Sequence, residues 1–398
     1  MRRPRRLPGR KAWFRAGAIL WLLLLLTQIY RWSSTSLRDR EWPRVNGPTT
    51  IRVRLGAAGP APWTLRRARS RSEEAGLLGD VLPTEAPLIR IETRKGHLHV
   101  GGRDMGREFV LDVPEPGVEI DVNGKTLIYH GRLAFSAEPD ARPVLTLPLE
   151  DYLAQVLPRE MPISYPEAAL EAQAIAARSY AAAQVLRTRR RAFDVVDDEF
   201  SQVFGSVDHR TPRARSIVNA TRGIVLSYGG RVLPGFFSAN CGGHTRPAGD
   251  AFGGKTSPPL SGVPCAGCGW SKDFRWSTRV PLSTAVRRLG LSSRPDQVRV
   301  HHFEGDPWRS SLVFELGGSR SFISARRLRR ALGRRRIRSL RLKGASLQHG
   351  DLILSGRGFG HGVGLCQQGA RGYAERGWSA EDILSHYYPE AVLAILAP

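Results

Sequence analysis

Between residues 88 and 130 the chain alternates apolar and polar residues. Ile89-Arg-Ile-Glu-Thr, His97-Leu-His-Val, Glu108-Phe-Val-Leu-Asp, Val118-Glu-Ile-Asp-Val and Thr126-Leu-Ile-Tyr each send every second side chain to one face. That period of two belongs to half-buried strands. Gly96, Gly101, Gly102 and Gly117 fall between the segments, and Asn123-Gly124 is a strong hairpin pair. The pattern predicts a run of short antiparallel strands. Past Leu149 the period lengthens. Residues 149–157 read as a short helix that stops before Pro158, and a second helix runs from Pro166 to about Arg189. On the second helix Gln173, Ala177, Tyr180 and Gln184 share one face, as do Glu171 and Arg178 a heptad apart. Its many alanines allow close packing.

Strands return over 215–240. Residues 270–355 mix helices at 282–289 and 325–332 with strands at 297–302, 311–316 and 337–342. The fold class is α+β: antiparallel sheets with an inserted helical subdomain near 149–190 that lines a substrate groove with the glycine-rich tail. Residues 33–81, rich in Arg, Pro, Ser and Ala, read as a linker, with 51–55 as a short strand.

At 398 residues and 41% hydrophobic content the chain holds one large domain or two ordinary ones. Its formal charge of +24 favours an anionic partner: nucleic acid, acidic lipid or an acidic wall polymer. An arginine-rich coding bias explains the same number without a partner. The basic run 326–343 carries the same pair of readings, a solvated face or a contact to an anionic polymer. The N-terminus narrows the choice. Arg2, Arg3, Arg5, Arg6, Arg10, Lys11 and Arg15 precede an apolar run over 16–29, an arrangement that holds the basic end in the cytoplasm. No A-x-A-like cleavage site follows, and Tyr30 and Trp32 suit a membrane interface. A signal anchor is favoured over a cleaved signal peptide. Either exports the body, which argues against nucleic acid.

Two cysteine-containing pairs have metal-ligand spacing. Cys241-Gly-Gly-His244 and Cys265-Ala-Gly-Cys268 match two knuckles of a closed, structural zinc site. A disulfide, Cys265–Cys268 or Cys241–Cys265, is the alternative. Cys366 reads as a small buried side chain. Glu160 stands between Pro158 and Pro162 with Met161 beside it. A carboxylate on so stiff a turn can be partly desolvated, which favours its proton-donating form. Most such glutamates are merely solvated. Asp197-Asp198-Glu199 either supplies a second carboxylate or forms a polar turn. From Gly356 to Gly364 glycine takes every second place, leaving Arg357, Phe359, His361, Val363 and Leu365 on the opposite face of an extended chain. Such a backbone invites close approach by a packed helix or a flat ligand such as a sugar ring. His361 is then either structural or a residue that binds or orients substrate. No G-x-G-x-x-G, G-x-S-x-G, H-E-x-x-H or P-loop is present.

Seven segments, taken in order, resemble the SpoIID/LytB family: Leu147-Pro-Leu-Glu-Asp-Tyr-Leu153, Arg159-Glu-Met-Pro162, Glu171-Ala-Gln-Ala-Ile-Ala-Ala-Arg-Ser-Tyr-Ala181, Ser201-Gln-Val-Phe-Gly205, Cys241-Gly-Gly-His-Thr245, 356–370 and Ile383-Leu-Ser-His-Tyr-Tyr-Pro389. The resemblance covers about 145–398. It implies a membrane-anchored lytic transglycosylase that cuts peptidoglycan glycan strands to 1,6-anhydromuramyl ends, after stem-peptide removal by an amidase. It equally admits a non-catalytic enhancer of a wall amidase. The family's catalytic glutamate falls on Glu160; Arg178, Tyr180 and Gln202 fall on motif positions and, with His361, are candidate substrate contacts. The tail of the family carries Met and Trp where this chain has Leu365 and Gln368, and Cys265-x-x-Cys268 is not part of the family pattern.

The resulting map is a basic cytoplasmic N-terminus (1–15), a signal anchor (16–32), a linker (33–81), a β-rich lead-in (82–145) and a catalytic domain (146–398) with a mixed subdomain at 270–355. The expected partners are glycan strands, a wall amidase and, through the N-terminal segment, the membrane; no nucleic acid and no organic cofactor are expected. The expected location is the bacterial inner membrane with the catalytic domain outside the cytoplasm, or secretion if the N-terminal segment is cleaved. A general polyanion binder driven by charge is the remaining alternative.

Overall fold

The computed structural model describes residues 37, 40–67, 89–122, 125–197, 202, 204, 212–291, 295, 297–302, 308, 310–316 and 319–397. The basic N-terminus, the apolar run, Asn123-Gly124, Asp198 and Glu199 lie outside them. Among the described residues no helix is long and apolar enough to cross a membrane. The chain divides into two compact units, 1–42 and 43–398. In the first, the Trp42 indole N–H donates to the Leu37 carbonyl at 2.9 Å.

The second unit is α+β. A nine-stranded sheet takes the strands in the order Val195–Val196, Thr50–Arg54, Val144–Pro148, Lys125–Ser136, Glu108–Val122, Trp63–Arg67, Ile89–Arg94, His97–Val100 and Arg103–Asp104. The alternation read from 88 onward is therefore real, and its segments at 108–112 and 118–122 merge into one long strand with an irregularity between Val113 and Val118. Two expectations need correction. Residues 44–67 are not linker: besides the strand expected at 51–55, seen at Thr50–Arg54, they form strands at Arg44–Asn46 and Trp63–Arg67. Ile51, Val53 and Leu55 are fully buried, whereas Arg52 reaches outward and is held by Asp194 at 2.7 Å. The arginines that gave the segment its linker-like composition cover the outside of a strand with an ordinary apolar inner face. The sheets are also not purely antiparallel. Val195–Val196, Arg44–Asn46 and Phe237–Ser238 each pair in parallel, with Thr50–Arg54, Val392–Ala397 and Leu365–Cys366 respectively.

Eight helices accompany the strands among the described residues: α1 (Leu149–Glu160), α2 (Glu167–Thr188), α3 (Pro212–Ala220), α4 (Ala248–Phe252), α5 (Leu282–Leu289), α6 (Ala325–Leu332), α7 (Gln367–Ala374) and α8 (Ala380–Tyr387). α2 is the axis of the helical layer and packs on α1, α3, α7 and α8. Its seven buried alanines are what let four neighbours approach one helix. Region 275–354 has a core of its own, built on Trp276, Leu289, Leu312, Phe314 and Leu354. Its helices α5 and α6 match the predicted boundaries. Residues 337–341 are irregular and the strand there is Leu342–Gln348, because Trp276 and Arg341 use that stretch for side-chain hydrogen bonds. The start of the segment read as strands at 215–240 is helical: α3 buries Ala214, Ile217 and Val218, a three- and four-residue spacing.

One ion pair fastens the layer. Arg178 is fully buried; its Nε and Nη2 donate to Glu150 Oε1 and Oε2 at 3.0 and 2.7 Å. The same guanidinium donates to the carbonyls of Ile224 and Val218 at 3.1 and 3.2 Å, and Glu150 also accepts from the Gly223 N–H. α1, α2, α3 and the strand Ile224–Tyr228 thus meet at one group. Replacing Arg178 by Ala strands the Glu150 carboxylate, and the expected loss of stability is about 3–5 kcal/mol. Arg178→Lys is expected to recover only part, because an ammonium cannot make two parallel bonds. Urea unfolding followed by circular dichroism measures both.

Candidate functional site

α1 does not stop before Pro158. It continues to Glu160, and the Met161 N–H donates to the Leu157 carbonyl at 3.0 Å before the chain turns extended. Pro158 sits in the last turn, where its ring costs one intrahelical bond and little else. Met161 is buried, Arg159 is exposed and Glu160 is half-buried at the helix end. Gln367, the first residue of α7, donates from Nε2 to the Glu160 carbonyl at 2.9 Å. That bond joins the proline-rich corner to the end of the glycine tract.

Tyr152, two turns before Glu160 on α1, is buried; its hydroxyl donates to Gln202 Oε1 at 2.9 Å. Gln202 Nε2 donates in turn to the Ala177 carbonyl at 3.1 Å. Burial, then Tyr180 and Glu160, push the Tyr152 hydroxyl well above the usual phenol range. It stays protonated at ordinary pH. Phe204 stacks on Tyr152 with ring centroids 5.2 Å apart. From Tyr180 a row of rings leads away. Its ring meets Phe236 and Phe237 edge-on, Phe236 packs on Phe252 at 4.6 Å, and both Phe236 and Phe252 reach His361, at 6.4 and 5.2 Å.

Of the predicted contacts, Glu160, Tyr180 and His361 are half-buried, and Tyr180 is linked to His361 through the ring of Phe236. Arg178 and Gln202 are buried. Both point inward, Arg178 to Glu150 and Gln202 to Tyr152, and each acts on the site only through the helices it ties. His361 Nδ1 accepts from the Val363 N–H at 3.0 Å, and its ring also bonds the Phe237 backbone. Burial, with Arg329 and Arg246 nearby, holds its imidazole down to about 4, so it is neutral at ordinary pH. Among the other acids, burial and then Glu167 raise the Glu171 carboxyl to about 7. Folding therefore binds a proton there that the unfolded chain has released, and stability falls as pH rises from about 4.5 to about 7. Glu171→Gln is expected to melt about 2–4 °C higher than wild type at pH 8 and equally at pH 4 in thermal scans.

The glycine tract is not an extended strand. The strand ends at Arg357, and Gly358, Gly360, Gly362 and Gly364 all take positive φ. What approaches the bare backbone is the protein itself. A methyl group at position 364 would overlap the Phe236 carbonyl, and one at 362 the Trp308 ring. Gln368 turns its side chain into a network with Asn240 and Asp273, both at 2.8 Å. The aromatic ring beside it comes from Trp270, which is exposed and donates to the Gln368 carbonyl. Arg371 lies between Trp270 and Tyr165, at 4.4 and 4.9 Å from the ring centroids.

The cysteine cluster differs from its prediction in one ligand. Cys241, Cys265, Cys268 and Cys366 converge, all buried, with every sulfur within 4.8 Å of the others. His244 is not among them. Gly242 and Gly243, both at positive φ, turn the chain so that His244 pairs through its backbone with Pro264 and keeps Nδ1 on its neighbour's carbonyl at 2.7 Å. Cys366 enters by the parallel pairing of Leu365–Cys366 with Phe237–Ser238. No disulfide links the four. Cys241 Sγ lies 3.7 Å from Cys268 Sγ. Bonds of about 2.3 Å from sulfur to a tetrahedral zinc give an edge of about 3.8 Å. Cys366 Sγ accepts from the Cys241 N–H at 3.3 Å, and the Tyr387 hydroxyl is 3.0 Å from Cys265 Sγ. Hydrogen bonds from Cys241, Cys268 and Cys366 hold the Cys265 thiol far below its usual range, whereas sharing with the other sulfurs pushes Cys241 up. Four crowded, buried sulfurs cannot all ionise without a cation, and the donor set fits zinc.

The family model described as stage II sporulation protein, SpoIID, matches residues 138–228, which hold Glu160 and all of α1 and α2. An uncharacterized protein of Brachyspira hyodysenteriae is 30% identical over 91% of this chain and 94% of its own length. Stage II sporulation protein D of Bacillus amyloliquefaciens is 27% identical over 62% of the chain and 74% of its own length. The amidase enhancer of Bacillus subtilis is 25% identical over 61% of the chain, but only 40% of that protein is covered. The chain belongs to the SpoIID/LytB family.

Proposed function

We propose that the protein is a peptidoglycan lytic transglycosylase with Glu160 as its single acid and base. The observation that carries this reading is the bond from Gln367 to the Glu160 carbonyl, which sets the glutamate's corner against the tail tract. A glycan strand would run in a groove between the α1 corner and that tract, over the rings of Tyr180, Phe237 and Phe236.

Hydrolysing glycosidases usually need two carboxylates. Here one suffices, because the nucleophile is the C6 hydroxyl of the muramyl residue itself, and an intramolecular group has a very high effective concentration. Glu160 protonates the oxygen that leaves C1. The resulting carboxylate then takes the proton from the C6 hydroxyl as its oxygen bonds to C1, which returns the glutamic acid.

Zinc held by Cys241, Cys265, Cys268 and Cys366 would brace the start of α7, since Gln367 follows Cys366 directly. Four protein ligands leave no open position, so its part is structural. The N-terminal run would anchor the chain in the inner membrane with the body facing the wall. The relative named amidase enhancer supports a second reading, a non-catalytic partner of a wall amidase. Digestion of purified glycan strands by the protein alone separates the two. Mass spectrometry should find ends lighter by one water, the 1,6-anhydro form. Their absence, with stimulation of an added amidase, rejects the enzyme reading.

A further inference from the structure

A row of three flat groups stands beside the Glu160 corner. Gln367 bonds the Glu160 carbonyl, and Arg371 follows one helical turn later on the same side of α7. The Arg371 guanidinium lies over the ring of Tyr165 at 4.9 Å and over that of Trp270 at 4.4 Å. Tyr165 belongs to the turn that follows Glu160, where its N–H donates to the Pro162 carbonyl at 3.0 Å. It is buried, so the row is anchored at that end. Arg371 is paired with Glu375 at 2.7 Å and brings little net charge. Trp270 ends the row. Its indole N–H donates to the Gln368 carbonyl at 3.2 Å, which fixes one edge to α7. The turn that carries it is also fixed, because Asn240 donates from Nδ2 to both the Cys268 carbonyl and Gln368 Oε1. Trp270 is nonetheless 48% exposed, whereas the other described tryptophans are buried or half-buried. Arg371 covers one face of the indole, so the exposure falls on the other face and the outer edge. A methyl group added at Gly269 would meet nothing but its chain neighbours within 4 Å. An indole locked in one orientation and left open has already given up much of the freedom that binding costs.

We propose that the open face of Trp270 is a sugar-binding subsite, on which a ring of the glycan strand stacks away from the sugar held at Glu160. The surroundings select this occupant. The groups tied to the indole are Gln368 and Arg371 and, through them, Asp273 and Glu375. A pyranose offers a flat C–H face to the ring and hydroxyls at its edge to such polar neighbours. A lipid surface or a protein partner would need a wider apolar patch than a single ring. The place of the ring sets the consequence. A strand that touches both the Glu160 corner and Trp270 must reach past Arg371, so Trp270 gives long strands an advantage over short fragments. This inference rests on a glycan strand being the substrate, but not on the chemistry at Glu160.

The test uses full-length protein carrying Glu160→Gln, so that strands are bound and not cut, alone or with Trp270→Ala, Trp270→Leu or Trp270→Phe. Trp270→Leu keeps apolar bulk against Arg371 and loses the flat face; Trp270→Phe keeps a flat face and loses the N–H. Long glycan strands and their single disaccharide unit are titrated into each protein by calorimetry. Trp270→Ala and Trp270→Leu should weaken long-strand binding about tenfold, and Trp270→Phe should recover most of it. The disaccharide should bind alike to all four proteins. Undiminished long-strand binding by Trp270→Leu overturns the subsite. So does Trp270→Phe as weak as Trp270→Leu, which would assign the loss to the Gln368 bond and the fold of the turn. Equal weakening of disaccharide and long strands overturns it too. Unchanged strand binding with lost binding of a wall amidase overturns it in favour of a protein-docking role. If protein with Glu160 intact forms no anhydro ends while Trp270-dependent binding of long strands persists, the catalytic reading fails and the subsite stands.

Discussion

Glu160→Gln should remove formation of anhydro ends from glycan strands, with a fall in rate of about 100- to 10,000-fold, the range of a single general acid and base. Both halves of the proposed step use the same carboxyl, first to protonate the leaving oxygen and then to accept the C6 proton. Glutamine can do neither and has nearly the same shape. The Gln367 bond is to the backbone carbonyl, so the substitution leaves it intact. Glu160→Asp should restore little, because it withdraws the carboxyl by one methylene from a helix end whose neighbour Met161 is buried. Reducing ends and anhydro ends are counted separately by mass spectrometry on strands with and without peptides. Cleavage at an undiminished rate in Glu160→Gln protein rejects the role.

The second large effect concerns metal. Purified protein is expected to hold one equivalent of zinc, measured by elemental analysis. Cys366→Ser should lose it, whereas His244→Ala should keep it. The distinction follows from the four sulfurs that converge without His244. A structural zinc can carry about 10 kcal/mol of folding free energy, so Cys366→Ser or a strong chelator should lower the melting temperature by tens of degrees. His244→Ala, which gives up a hydrogen bond to the Thr245 carbonyl, should shift it by a few degrees at most. Retention of zinc by Cys366→Ser and loss from His244→Ala would restore the ligand set that spacing alone suggests.

How far the sequence reached depended on whether a property was local. The period-two strands, α5, α6 and the long alanine-rich α2 were legible, because each follows from the residues within it. The strand at 51–55 was legible from the alternation of Ile51, Val53 and Leu55, whereas the flanking strands at Arg44–Asn46 and Trp63–Arg67 were missed because arginine was weighed as composition. Glu160 was visible as an acid on a braced turn, but its setting was not: Gln367 reaches it from a distant part of the chain. Arg178 and Gln202 sit on motif positions that suggested contact with substrate, yet a motif cannot tell an inward side chain from an outward one. Cys366 was hidden by distance, since nothing near it in sequence is a ligand. A count of four cysteines was the one signal that could have grouped it with the other three. The alternation of glycines was plain, and its cause, a backbone threaded between Trp308 and Phe236, needed the fold.

The corner that bears Glu160 is held by a side chain 207 positions further along. A nascent chain still on the ribosome, or one clipped ahead of α7, lacks that brace. On the proposed reading, competence arrives last, with the docking of the tail, and a single proteolytic nick there would disable the site while leaving its carboxylate untouched.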